Sequence, residues 1–229
     1  DLLTGRVRTP EIWRNRGRAT ARLDRALRGF VHPSARHEFP WDLMRAADLR
    51  PHTSLIEDPA LRQSATRSLA HLAAEIMPRL KGLRHQVIHG DIHAGNTLTL
   101  PGNPSEIGGI LDYGDMVFAP LVAEVAIAAD FEELTTEDPL ESLCALTAGF
   151  DSVYPLEEAE IDLIYDLVLA RLSSFATIVA WRKAMTPDQP AYQPQILAPL
   201  GNMISHFETL GRERVRATLR AACRFPPYC

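Results

Sequence analysis

Between Val87 and Asp115 the chain reads VIHGDIHAGNTLTLPGNPSEIGGILDYGD, an order of residues that few folds can accommodate. An apolar lead-in, Gln86-Val87-Ile88, delivers His89-Gly90-Asp91, and Asn96 follows shortly after. Two runs rich in β-branched residues and leucine come next, Thr97 to Leu100 and Ile107 to Leu111. A Pro/Gly/Asn/Ser segment with turn chemistry separates them. The second run ends in Asp112-Tyr113-Gly114-Asp115. The pattern predicts a strand, a tight loop and a hairpin that folds Asp112 back toward Asp91 and Asn96.

Phosphoryl transfer to a hydroxyl needs such a set. A carboxylate must orient the attacking hydroxyl and accept its proton, while hard oxygen ligands hold magnesium against nucleotide phosphates. Asp91 has the spacing of the base, with Asn96 as a metal ligand in the same loop and Asp112 as the second, one strand later. His89 and Asp115 suit tying the loop together by hydrogen bonds, and Gly90 and Gly114 suit its tight turns. A different chemistry competes for the same residues. His89 with Asp91 and a distant His206 would make a facial triad for non-haem iron, and alternation along a strand would put His89, Asp91 and His93 on one side, which also suits zinc. That alternative leaves Asn96 and the Asp112-Tyr113-Gly114 turn without a role.

The rest of the chain reads as mainly helical. Arg14 to Phe30 carries Ala19, Leu23, Ala26, Leu27 and Phe30 at helical spacing, with arginines and Asp24 on a solvated face. Phe39 to Leu43 begins a short apolar element ending at Pro51, with Trp41 in the core. Asp58-Pro59 caps a helix running to about Leu80. After Asp115 the pattern predicts only helices. Pro120 to Phe131 is apolar almost all round, so Glu124 within it is a candidate for holding the Asp91 loop or a substrate amine. Glu132 to Glu141 is an acidic loop. Glu157 to Met185 supplies the central helix, too interrupted by Asp162, Asp166 and Arg171 to cross a membrane. Further helices run from about Tyr192 to Leu210 and from Gly211 to Cys223.

Composition bounds the partners. At 229 residues and 46% hydrophobic, the chain can bury one core. A net charge of −5 argues against nucleic-acid or anionic-membrane surfaces. Three cysteines, Cys144, Cys223 and Cys229, have no metal spacing and suit a reducing, cytoplasmic setting.

HGDIHAGN followed by ILDYGD resembles the aminoglycoside phosphotransferase and choline kinase superfamily, relatives of the protein kinases. GGILDYGDMVFAPLVAEVAIA and AGFDSVYPLEEAE look nearest to its hydroxylysine kinase-like branch. The resemblance implies a kinase-like fold, mainly α with a small β-hairpin, and Asp91 as catalytic base with Asn96 and Asp112 on Mg2+. It also implies ATP or GTP as donor and a small hydroxyl-bearing acceptor: a hydroxylysine-like amino acid, an aminoglycoside, choline or homoserine. Tyr113 stands where phenylalanine is more usual, a swap that keeps the ring.

That fold needs a small sheet with a loop over the phosphates and a lysine pairing with them. The chain has lysine only at 81 and 183, and no glycine-rich strand-turn-strand pattern precedes residue 40. Residues 1–229 therefore read as the C-terminal catalytic lobe, with the catalytic loop and metal hairpin at 86–115 and the nucleotide-binding lobe outside this chain. Such a lobe would be inactive alone, or would be a non-catalytic binding or regulatory module. Some members of the family resembled are fused to a class III aminotransferase, and the tail Phe225-Pro226-Pro227-Tyr228 suits such a junction.

Overall fold

The computed structural model describes residues 2–3, 9–129, 138–186 and 194–225. Helix α1 spans Pro10–Leu27 and starts where Thr9 accepts from the Ile12 amide at 3.4 Å, with proline in the first turn. The helix thus begins four residues before the expected start and ends before Phe30, which lies exposed beyond Gly29. Nor is its polar side simply solvated, since Arg16 and Asp24 are buried. Thr9-Pro10 sets the start, and Gly29, at φ +82°, follows the end of the helix before the apolar period reaches Phe30.

A run of 3-10 turns, Leu43–Leu55, follows, with the Asp42 side chain accepting from the Met44 amide at 2.9 Å. Pro51 lies inside this run instead of ending it. Its missing N–H removes one hydrogen bond, and the turns continue past it. Helix α2, Pro59–His71, is capped by Asp58 on the Leu61 amide at 2.7 Å. The expected single helix to Leu80 is interrupted by a π turn, Leu72–Ile76, before α3, Met77–Leu80. Pro78 explains the widening: it has no N–H to give to the carbonyl four residues back, and its ring would crowd that group.

Strand β1, His85–Ile88, leads into the Asp91 loop. The hairpin is β2, Thr97–Leu100, against β3, Asn103–Ile110. β3 starts four residues earlier than expected, so the turn is shorter, and irregular register between Leu98 and Leu100 absorbs the difference. A further strand, β4, Val117–Pro120, was absent from the helical expectation after Asp115. It pairs antiparallel with β1, Ile88 opposite Val117 and His85 opposite Pro120. Four residues running directly into an apolar helix carry too little alternation to stand out from it. The two short sheets clamp residues 89–96 and 111–116 from both sides.

Helix α4, Leu121–Ala128, is buried on every side. The acidic stretch expected as a loop lies mostly outside the described residues. Its end belongs to α5, Pro139–Asp151, capped by Asp138 on the amides of Leu140 and Glu141. The expected central helix divides at Asp162-Leu163 into α6, Glu158–Ile161, and α7, Ile164–Met185. The segment 158–185 has the length and apolarity of a membrane span, yet nearly all of it is buried within the protein. Helices α8, Leu197–Leu210, and α9, Arg212–Ala222, complete the chain, joined at Gly211. Residues 187–193, between the expected central helix and the next, lie outside the described residues, as does the tail from Pro226.

The core forms around α7. Its Leu167, Val168, Leu172, Phe175, Ile178 and Val179 pack with side chains of the 3-10 run, α2, α4, α8 and α9. On the other side α1 crosses α5 so closely that a Cβ on Gly17 would lie 2.0 Å from the Leu146 carbonyl oxygen, and one on Gly149 2.1 Å from that of Arg14. Two facing glycines let the backbones touch. The crossing presses α1 against the hairpin and the Asp91 loop.

Candidate active site

The loop after β1 is held by its own backbone groups. Gly90 has φ +81°, and a Cβ there would sit 2.6 Å from the Asp115 carbonyl oxygen, so only glycine lets these two segments meet. The Glu124 carboxylate, fully buried in α4, accepts from the His89 amide at 2.5 Å and the Gly90 amide at 3.2 Å. Glu124 therefore holds the loop and is out of reach of a substrate amine. His89 is fully buried as well: its Nε2 lies 2.9 Å from the Leu111 carbonyl and its Nδ1 accepts from the Asp91 amide at 3.3 Å. A carbonyl can only accept, so Nε2 carries the proton and the ring is neutral. Burial lowers its pKa, outweighing the pull of the Leu111 carbonyl and of Asp91 and Asp112. The Tyr113 ring meets His89 edge-on at 5.0 Å.

These contacts also fix Asn96 and Asp112. The Leu111 amide donates to the Asn96 carbonyl at 2.8 Å, so the residue before Asp112 is pinned between Asn96 and His89. Asn96 gives its side-chain amide to the Asp91 carbonyl at 3.0 Å and to Asp91 Oδ2 at 3.3 Å. Asp112 is exposed and adopts φ +60°, a sparsely populated conformation for a non-glycine residue, with Oδ1 accepting from the Gly114 amide at 3.3 Å.

Asp91 stands at the centre, partly exposed. Its Oδ2 faces Asn96 and His93 Nε2, the latter at 3.6 Å, and its Oδ1 faces the Arg171 guanidinium at 3.5 Å. Burial alone would push this carboxyl up. The His93 hydrogen bond and the charges of Arg171, His93 and His89 outweigh that and hold it below the ordinary carboxylate value. Asp115 is pushed the other way, by burial and by the charges of Asp91 and Asp112. This crowding of negative charge, with the Asn96 side-chain oxygen left over after its amide is spent on Asp91, suits a hard divalent cation. No three His, Cys, Asp or Glu side chains among the described residues form a metal cage by themselves. A cation here would draw its remaining ligands from phosphate and water, as magnesium does.

The iron or zinc alternative does not match this geometry. β1 ends at Ile88, so His89, Asp91 and His93 do not alternate along a strand. Both nitrogens of His89 are engaged, and His206 sits on α8 with its ring against Phe207.

Two arginines at the site were read otherwise from sequence. Arg171 entered only as an interruption of an apolar helix, and an isolated arginine among residues that must be buried was itself the signal. Arg16, one of five arginines on α1, donates to the Ile92 carbonyl at 2.9 Å, while its neighbour Asn15 donates to the Ser105 carbonyl of β3. Nothing in the sequence distinguishes Arg16 from the other four.

Beneath the loop lies a buried acid pair. Burial, with the charge of Glu124 added, pushes the Asp24 carboxyl well up, and neither of its oxygens has a hydrogen-bond partner. Asp24 is thus the protonated member. Glu124 is raised to about 7 by burial, against the pull of the two loop amides. An acid whose folded pKa is raised binds its proton preferentially in the folded state, so stability falls as pH rises from the ordinary 4.5 through about 7. At about 1.4 kcal/mol per pH unit, that is a loss of a few kcal/mol from Glu124, and Asp24, raised as well, adds to it as it ionises. Thermal melts between pH 5 and 8 should show the decline, and Glu124→Gln should make it shallower, leaving the share of Asp24. Equal slopes in the two proteins would contradict the assignment.

Comparison with known proteins bears on the same residues. The family model described as the phosphotransferase enzyme family matches residues 3–156. The chain is 30% identical over 224 residues to a protein named hydroxylysine kinase from Xenopus laevis, covering 91% of this chain and 59% of that one. It is also 30% identical over 186 residues to the hydroxylysine kinase of Mus musculus, covering 77% and 50%. The chain thus spans between half and three fifths of the length of these relatives. Among solved structures, an aminoglycoside phosphotransferase from Alicyclobacillus acidocaldarius superposes with TM-score 0.57 at 20% identity, covering 94% of this chain and 67% of the other. A choline/ethanolamine kinase family protein from Mesorhizobium loti superposes with TM-score 0.59 at 15% identity, covering 94% and 70%. The fold is the kinase-like one of these proteins, and with two thirds of its residues matched by the family model this chain belongs to the phosphotransferase enzyme family.

Proposed function

We propose that this chain is the catalytic lobe of a small-molecule kinase that moves the γ-phosphoryl group of ATP or GTP to a hydroxyl of an amine-bearing acceptor, hydroxylysine-like amino acids first among them. The observation that carries this reading is Asp91, an ionised carboxylate partly exposed at the site, with Asn96 on one oxygen and the Arg171 guanidinium near the other. Asp91 accepts a hydrogen bond from the acceptor hydroxyl and aligns its oxygen. That oxygen bonds to the γ-phosphorus, the bond from phosphorus to the bridging oxygen breaks, the nucleoside diphosphate leaves, and the hydroxyl proton passes to Asp91. Asn96 and Asp112 would hold magnesium, which supplies neutralisation of phosphate charge when bound. His89, Gly90 and Glu124 keep Asp91 in place without touching the reacting atoms.

The lobe carrying the phosphate-pairing lysine lies outside these 229 residues in this reading, and a fused aminotransferase domain remains a candidate neighbour. Magnesium-nucleotide binding and phosphoryl transfer should be compared between this chain and a version extended N-terminally, with hydroxylysine, choline, homoserine and an aminoglycoside as acceptors. The expected result is turnover by the extended protein only, with hydroxylysine the best acceptor. Robust turnover by residues 1–229 would remove the missing-lobe proposal. Failure of both proteins to bind nucleotide would leave a non-catalytic binding module.

A further inference from the structure

We propose that Arg171 determines acceptor specificity: its guanidinium binds the carboxylate of an amino-acid acceptor and so seats the side-chain hydroxyl on Asp91. This rests on the phosphotransferase reading above and adds to it the residue that selects an amino-acid acceptor.

The two oxygens of Asp91 divide the site. Oδ2 faces Asn96 and His93, on the side where Asn96 and Asp112 would meet phosphates and metal. Oδ1 faces Arg171, which α7 supplies and whose charge also reaches Asp115 and Glu124. Arg171 thus stands beside the Asp91 oxygen that neither Asn96 nor His93 engages. Its position is well supported. One terminal nitrogen donates to the Trp41 carbonyl at 3.2 Å, and the guanidinium carbon lies 5.8 Å from the centre of the Trp41 ring. Trp41 is braced in turn by Phe175, with ring centres 5.4 Å apart. The Arg171 side chain is only 13% exposed, so its charge acts with little screening by water.

Such an arginine has a chemical cost and a use. It lowers the basicity of Asp91, and it repels a purely cationic acceptor such as choline or an aminoglycoside. Both effects reverse if the acceptor brings an anion of its own. A guanidinium has five N–H donors in a fixed fork. The Trp41 carbonyl takes one, and the approach to Asp91 engages another more loosely. The fork retains donors for a carboxylate, which it binds in two-pronged fashion better than any other side chain. The geometry of hydroxylysine fits. Four C–C bonds of about 1.5 Å separate its carboxyl carbon from the hydroxyl-bearing carbon, a span of roughly 5 Å. That span lets one molecule touch Asp91 and its neighbour Arg171 together.

The test uses the protein extended through its nucleotide lobe, as wild type, Arg171→Gln and Arg171→Lys. The acceptors are 5-hydroxylysine and its decarboxylated counterpart, 1,5-diaminopentan-2-ol, which keeps both amines and the hydroxyl. Wild type should strongly prefer hydroxylysine. Arg171→Gln should raise KM for hydroxylysine about thirtyfold, the range lost with a charged hydrogen-bonded pair. Its kcat should stay within about threefold, and KM for the nucleotide should not move. Arg171→Lys should recover part of the loss. The decarboxylated acceptor should be handled poorly by wild type and no worse by Arg171→Gln, which no longer repels it.

Equal use of both acceptors by wild type would overturn this inference and leave the kinase reading intact. So would a fall in kcat shared by both acceptors in Arg171→Gln, which would make Arg171 a positioning residue for Asp91 alone. A rise in nucleotide KM would move it to the phosphates and overturn the inference likewise. Absence of transfer to any acceptor by wild type would overturn both.

Discussion

Asp91→Asn should lower kcat about a thousandfold in the protein that carries its nucleotide-binding lobe, with nucleotide affinity nearly unchanged. Asparagine has the same size and can still accept from Asn96 through its side-chain oxygen. What it loses is the charge that orients the hydroxyl and the oxygen that takes the proton, a contribution of about 10²–10⁴ in rate. The loop should survive the change, because His89, Gly90 and Glu124 hold it through backbone groups that the substitution does not touch. Steady-state kinetics and nucleotide titration on the same preparation separate the two effects. Undiminished turnover would take Asp91 out of the mechanism. A parallel collapse of nucleotide binding would assign it to the phosphates instead.

Gly149→Ala should cost about 3 kcal/mol of stability, at the upper end of what overpacking usually costs. The added methyl would meet the Arg14 carbonyl oxygen at 2.1 Å and the Arg14 carbonyl carbon at 2.9 Å. Both are backbone atoms of a helix, so no side-chain rotation relieves the clash and α1 must move away from α5. For a chain of this length such a loss should lower the melting temperature by about 10 °C. The same displacement would draw Asn15 from the Ser105 carbonyl and Arg16 from the Ile92 carbonyl. Amide exchange in the Asp91 loop should therefore rise along with the loss of stability. Gly201→Ala is the control: it too lies within a helix, but its added methyl would meet Leu61 at an ordinary 3.8 Å. It should be neutral or mildly stabilising. Identical melts for Gly149→Ala and Gly201→Ala would show that the α1–α5 crossing is looser than its geometry implies.

Much of the site was legible because its chemistry sits within about thirty residues. The order His-Gly-Asp, then Asn96, then a hairpin and Asp112 uses local turns, and local turns are written in local residue types. The mainly helical class was legible for the same reason, since caps such as Asp58-Pro59 and the apolar period of residues 164–185 are short-range signals. Where elements were misjudged, a competing local signal was too brief or was overruled. Strand β4 has four residues and needs β1 beside it to exist. The π turn at Leu72–Ile76 answers to Pro78, a single residue inside a stretch whose apolar period reads as one helix to about Leu80.

The sequence by itself determined the identity and order of the groups around Asp91, and that they would share one loop and one hairpin. Only the tertiary structure decided which distant residues act on them. Arg16 is one arginine among five until the crossing of α1 and α5 buries it under Ile92. Asp24 is a surface charge by pattern and a protonated acid once packing closes over it next to Glu124. Arg171 interrupts an apolar helix until α7 is laid beside the loop, 80 residues away in the chain, and sets its guanidinium against Asp91. Such contacts depend on how helices pack across the core, and no window along the chain contains both partners.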